Sequence, residues 1–149
     1  MRREDRQCNK MEFIEAVLDR AEVIFVAMSD GDYPYCIPVN FVRVGKCLYI
    51  HSALEGHKLH CITADEKVAF STAIDISIDT ARATTYYKSI CGRGRAVVIS
   101  DEAEKGRALD ALAERYQARC ARPAPLASIR RVAIIRIDME DVTGKGCLS

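Results

Sequence analysis

Three strand-like runs joined by turns too short for a crossover decide most of what this chain can fold into. Val23-Ile24-Phe25-Val26-Ala27-Met28 is apolar and rich in β-branched residues; a second run spans 33–44 and a third Cys47 to His51. The joins are Asp30-Gly31 and Gly45-Lys46. Asp-Gly is a strong hairpin signal, and so short a turn joins only antiparallel neighbours, because parallel strands need a crossover of roughly a dozen residues or more. The first run, apolar on both faces, predicts a buried strand over 22–29. Pro34 and Pro38 cannot donate to a ladder, so the second strand is an edge, or irregular, over its first half.

The remaining segments are of the same kind. A helix is expected over 10–20, capped by Asn9, with Phe13, Ile14, Val17 and Leu18 as its apolar stripe. A short helix over 56–64 precedes a strand over 67–74. Segment 76–84 has no clear period and reads as a loop. A long strand covers 86–99, then a helix 101–117 with Ala108, Leu109, Leu112 and Ala113 on one face, a linker at 121–125 and a last strand over 132–137. About six strands with short helices between them, and no βαβ alternation, predict a mainly β fold: an antiparallel β-barrel with appended helices. The 149 residues make one domain, 1–149, with 1–9 as a flexible N-terminal arm.

Composition removes several function classes. A net charge of +1 creates no global field toward nucleic acid or a membrane surface. No apolar run approaches the ~20 residues of a bilayer span. The charged start, Met1-Arg2-Arg3-Glu4-Asp5-Arg6, lacks the apolar region of a signal peptide. Seven cysteines, an odd number without a CxxC pair, argue against a zinc finger or dithiol motif and fit the reduced thiols of a cytoplasmic protein. Cys36, Cys47 and Cys91 lie in strand-like runs and are expected as small core residues. His51, His57 and His60 lack an HExxH pattern or a completing carboxylate, so no metal site is expected. Neither a GxSxG elbow nor a GxGxxG fingerprint is present.

Three stretches carry chemistry. In Tyr49-Ile50-His51-Ser52-Ala53-Leu54-Glu55-Gly56-His57-Lys58-Leu59 an apolar run ends in a polar pair, turns, and opens a helix with Gly56-His57-Lys58. Free N–H groups and the positive end of the helix dipole favour an anion there, so the stretch predicts a phosphate site. Tyr33-Pro34-Tyr35-Cys36-Ile37-Pro38-Val39-Asn40-Phe41 is either a rim for a flat heteroaromatic ligand or a proline-protected edge. In Tyr86 to Arg95, Lys88, Ile90, Gly92 and Gly94 share one face, where two glycines leave a shallow slot for a planar ring or another backbone. The competing reading there is a glycine bulge with solvated arginines.

These stretches, with Ala83-Thr84-Thr85-Tyr86-Tyr87-Lys88-Ser89 and Thr143-Gly144-Lys145, resemble the FMN-binding split β-barrel proteins related to pyridoxamine 5′-phosphate oxidase, and among them the 5-nitroimidazole-resistance-like (Nim-type) flavoproteins. The resemblance covers 21–145 and is most specific over 51–59. It implies a six-stranded Greek-key-like barrel, an FMN cofactor and a homodimer with shared sites at the interface. By position, Gly56, His57 and Lys58 would hold the FMN phosphate. His51, Ser52 and the adjacent Ala53 would lie along the ribityl–phosphate arm, the backbone at Val39 and Asn40 would face the isoalloxazine ring, and Ser89 would line the same pocket. The B6 oxidases carry Ser-Arg-Lys where this chain has Gly56-His57-Lys58, and the Arg-x-His of their C-terminal end is missing here from 138–149. The implied function is electron transfer from NAD(P)H to a small planar acceptor such as a nitroaromatic, with no acid or base assigned and His51 nearest the reacting region. The alternatives are a non-catalytic flavin- or haem-binding barrel, with His51, His57 or His60 as axial ligand, an enzyme like pyridoxamine phosphate oxidase, and a deazaflavin-dependent relative with a cationic groove.

Overall fold

A computed structural model describes residues 4–147. Met1 to Arg3, part of the expected arm, lie outside the described residues. Helix α1 (Met11–Arg20) leads into β1 (Ile24–Ser29), β2 (Pro34–Val39), β3 (Val42–Val44) and β4 (Cys47–Ser52). Then come α2 (His57–Ala64), β5 (Lys67–Asp79), β6 (Thr84–Val98), α3 (Glu102–Arg115), α4 (Leu126–Arg130) and β7 (Ala133–Cys147). All seven strands join one sheet in the order β2-β1-β5-β6-β7-β4-β3, and every pairing is antiparallel.

The two edge strands, β2 and β3, are consecutive in the chain and only Asn40 and Phe41 join them. So short a link cannot cross an open sheet of this width, so the sheet curls until its edges meet. This break is also why there are seven strands rather than six: the expected strand over 33–44 is split in two. Pro34 and Pro38 pair with Ser29 and Phe25 on an edge strand, where their missing N–H groups cost no ladder bond on the open side.

Two apolar clusters follow from strand alternation. Val26, Leu48, Ile50, Phe70, Ile90, Ile135 and Ile137 fill the barrel, joined by Ile14, Val17 and Leu18 of α1 and by Leu59 and Ile62 of α2. Ile134 points the other way and meets Val42, Ile99, Ala108 and Leu112 beneath α3. The last strand is thus apolar on both faces for a reason: one face is barrel core, the other is the seat of α3. The first strand differs from expectation. Ile24, Val26 and Met28 are buried, but Phe25 is 49% exposed, so only one face of β1 is core.

Several local expectations are corrected. Segment 76–84 is no loop: β5 runs on to Asp79, four residues turn, and β6 starts at Thr84. Its missing period comes from a bulge between Ile74 and Ser77, where Asp75 takes a φ of 53° and is held by Arg20 (2.9 Å) and Lys88 (2.9 Å). Asn9 does not cap α1; its Oδ1 accepts from the Gly144 N–H at 3.1 Å, and Gln7 pairs with Lys145, so this part of the expected flexible arm lies against β7. Cys36 and Cys91 are exposed and Cys47 half-buried, whereas Cys61 is the buried thiol. The glycine slot is filled. A Cβ on Gly92 would overlap the Phe70 ring, and one on Gly94 would overlap the Asp138 carbonyl beside the β6–β7 register shift. Both glycines admit protein, not ligand.

No helix among the described residues is long and apolar enough to cross a membrane.

Candidate functional site

Gly56 caps α2 with a φ of 150°, a conformation that a side chain would strain. No side chain satisfies the first-turn donors; Leu59 N and His60 N already reach back to Gly56 O, which leaves the N–H groups of His57 and Lys58 as the unbonded first-turn donors of the helix. The two long side chains of this turn diverge. His57 is exposed, and its Nε2 stands 3.7 Å from Asp30 Oδ2. Its ring meets Tyr35 edge-on at 4.7 Å. Lys58 is half-buried and lines a small gap in the barrel core with Val39, Ile50 and Ile62.

Asp30 is the feature that the sequence did not disclose. Its Oδ1 accepts from Tyr33 N (2.6 Å) and Asp32 N (2.9 Å), and these bonds, with the nearby His57, hold its carboxyl below the usual carboxylate range. The hairpin turn therefore presents a fixed negative charge to the first turn of α2. The Asp-Gly pair signals the turn, but nothing local signals that the turn faces residue 57.

His51 and Ser52 are neighbours on β4 and point to opposite faces. Ser52 is buried in line with Leu48 and Ile50. His51 faces outward and lines a cavity of about 380 Å³ with Asn40. β3 pairs with β4 from Val42 and Tyr49 to Val44 and Cys47, and Asn40, just before β3, lines the same cavity as His51. The other cavity walls are α3 (Leu109, Asp110, Leu112, Ala113), Tyr116 and the 118–128 segment. Sequence reading assigned this segment only a linker role. Ala53 and Gly56 lie exposed between His51 and α2. Ser89 lies on β6 between Ala73 and Lys145, and its hydroxyl donates to Lys145 O at 3.3 Å; it does not line the cavity of Asn40 and His51.

A polar network holds α3 over this region. Tyr49 Oη donates to Glu104 Oε1 (2.9 Å), Arg136 Nη1 donates to the same oxygen (2.8 Å), and Arg136 Nε reaches Asp138 Oδ1 (2.8 Å). Burial first, then the bond to Glu104, pushes Tyr49 up to about 12, while Arg136 holds Glu104 below its ordinary value. Arg115 adds a second tie, donating to the carbonyls of Leu18, Asp19 and Ala21 at the end of α1.

A curled antiparallel sheet whose two edge strands are consecutive, with a glycine-capped helix start beside the end of an outer strand, defines the split β-barrel class. The chain belongs to the pyridoxamine 5′-phosphate oxidase family, whose model matches residues 11–146. Similar solved structures include a Bacteroides thetaiotaomicron protein ascribed to 5-nitroimidazole antibiotic resistance, with 25% identity, a TM-score of 0.83, and coverage of 93% of this chain and 85% of that one. The flavocytochrome Anf3 of Azotobacter vinelandii (20% identity, TM-score 0.84, 100% and 72% coverage) shares the fold. So does a Mycobacterium smegmatis protein that binds FAD and haem (22% identity, TM-score 0.84, 97% and 74% coverage). No protein of curated function matches the chain.

Proposed function

We propose that this protein is a flavoprotein oxidoreductase that holds FMN and passes electrons from NAD(P)H to a small planar acceptor of the nitroaromatic kind. The observation that carries this is the start of α2. Gly56, His57 and Lys58 form a helix start without a side-chain cap, whose dipole, Lys58 ammonium and His57 imidazole suit a phosphate. Val39 and Lys58 line one gap, and Asn40 follows Val39 in the chain, so the backbone suited to the flavin ring adjoins a residue suited to its phosphate. The likeness to the nitroimidazole-resistance protein supports the acceptor class. FMN would supply the electron transfer. The chain's own residues would bind and orient it: Lys58 and His57 at the phosphate, Ser52 and Ala53 through their backbone along the arm, and the backbone of Val39 and Asn40 at the ring.

The protein acts as a homodimer in this reading. The β5–β6 hairpin carries Ile76 (63% exposed) and Ile78 (73% exposed), and a second copy would cover them. Ser89, away from the cavity within one chain, would then serve the site of the other. The test is the visible spectrum of the freshly purified protein, with the released cofactor identified by mass. A two-banded yellow spectrum and FMN are expected. A single intense Soret band would replace flavin by haem, and a colourless protein that binds no added FMN would overturn the reading.

A further inference from the structure

The cavity under α3 differs in character from the α2 start. Its volume, about 380 Å³, falls within the roughly 300–1,000 Å³ of small-molecule pockets. Leu109, Leu112, Ala113, Ala118, Ala124 and Pro125 make its walls apolar. Among the described residues that line it, none is lysine or arginine, and one, Asp110, is a carboxylate that accepts from Ala124 N at 2.8 Å. Apart from His51 and the exposed Ser128 and Cys120, the polar side chains there are already engaged. Asn40 Nδ2 donates to Glu22 O (3.1 Å), and Tyr116 Oη donates to Glu22 O (2.7 Å). The His51 imidazole has no hydrogen bond or ion pair among the described residues, so it offers a donor or acceptor to whatever enters.

We propose that this cavity binds a neutral, ring-sized organic molecule with a polar atom facing His51, and that it excludes phosphorylated rings. A phosphate dianion would lose its water against apolar walls, beside Asp110 and without a cation partner. The cationic positions lie at the start of α2, not here. Anion and neutral ring are thereby sorted into two compartments on either side of the 51–57 turn. That the ring is the electron acceptor rests on the flavoprotein reading above; that it binds here does not.

Calorimetric titration in phosphate buffer, which supplies the α2 start with anion beforehand, compares 4-nitroanisole with 4-nitrophenyl phosphate, two ligands that share a nitrophenyl ring and differ in the dianion. The neutral ring is expected to bind at least roughly tenfold more tightly. Ala124→Phe fills the cavity and should weaken nitroanisole by roughly tenfold. The exposed position 128 gives a variant that does not depend on core repacking: Ser128→Arg brings a cation to the wall and should narrow or reverse the preference. Melting curves check that both variants fold. Equal or tighter binding of the phosphate ester, or nitroanisole affinity unmoved in both folded variants, would overturn the proposal. A colourless protein that still binds nitroanisole with these responses removes the flavin and leaves the cavity site standing; a yellow protein that fails to bind nitroanisole does the reverse.

Discussion

Asp30 sets the character of the proposed anion site. Its carboxylate is pinned by the hairpin's own N–H groups and stands beside His57, so any phosphate arriving at α2 competes with it for the imidazole. Asp30→Asn keeps an acceptor for the turn and removes the charge, so FMN affinity should rise a few-fold, as exposed pairs are worth little; fluorescence quenching of added FMN measures it. Lys58→Ala should act in the opposite sense and more strongly, by about tenfold, because a charge-assisted bond is lost. Unchanged affinity there would remove the phosphate assignment. Tyr49 supplies a pH handle. Its folded value, about 12, lies above the ordinary ~10 of a free phenol. The stability that this shift contributes is complete below pH ~10 and is lost as pH rises through about 12. A tyrosinate titration followed by absorbance should show a late phenol that is absent in Tyr49→Phe.

Elements are fitted to each other by particular absences and charges. Gly92 pairs with Phe70 across β5–β6, and the buried ring occupies the space where a Cβ would stand. Gly92→Ala should therefore cost about 1–3 kcal/mol by overpacking. Adding Phe70→Leu, which vacates the ring's outer atoms, should return part of that loss in urea denaturation, and simple additivity of the two costs would show that the ring is not what the glycine accommodates. At α3 the start is a side-chain cap, with Asp101 Oδ2 accepting from Glu104 N at 2.8 Å, and the same first turn is tied to β4 and β7 through Glu104 and Arg136. These ties seat the helix whose far half walls the cavity. The bulge at Asp75 bends β5 and carries the hairpin's apolar residues out into solvent.

Across the whole molecule, a sheet that closes through a two-residue link leaves its long β5–β6 hairpin projecting beyond the barrel core. Ile76 and Ile78 lie there exposed, with none of the described residues over them. Replacing both with lysine should convert a dimer in sedimentation equilibrium to a monomer while leaving the barrel folded, since neither side chain contributes to its core. A wild-type monomer that retains flavin would contradict the shared-site architecture.

The chain's local pattern determined its antiparallel order, because turns such as Asp30-Gly31 and Gly45-Lys46 admit no other connection. It also determined the start of α2, because Gly56, a backbone needing positive φ, and the adjacent His57 and Lys58 are contiguous. The apolar face of α3 and the two-sided last strand were legible for the same reason: period alone reveals them. What only the tertiary structure decided are encounters between residues far apart in the chain. Phe70 fills the space beside Gly92, Asp30 stands at His57, Asn40 meets His51, and the 118–128 segment folds back to wall a cavity. Each depends on how far the sheet curls and where a bulge falls, and those are set by packing summed over the whole barrel, which no window of sequence contains.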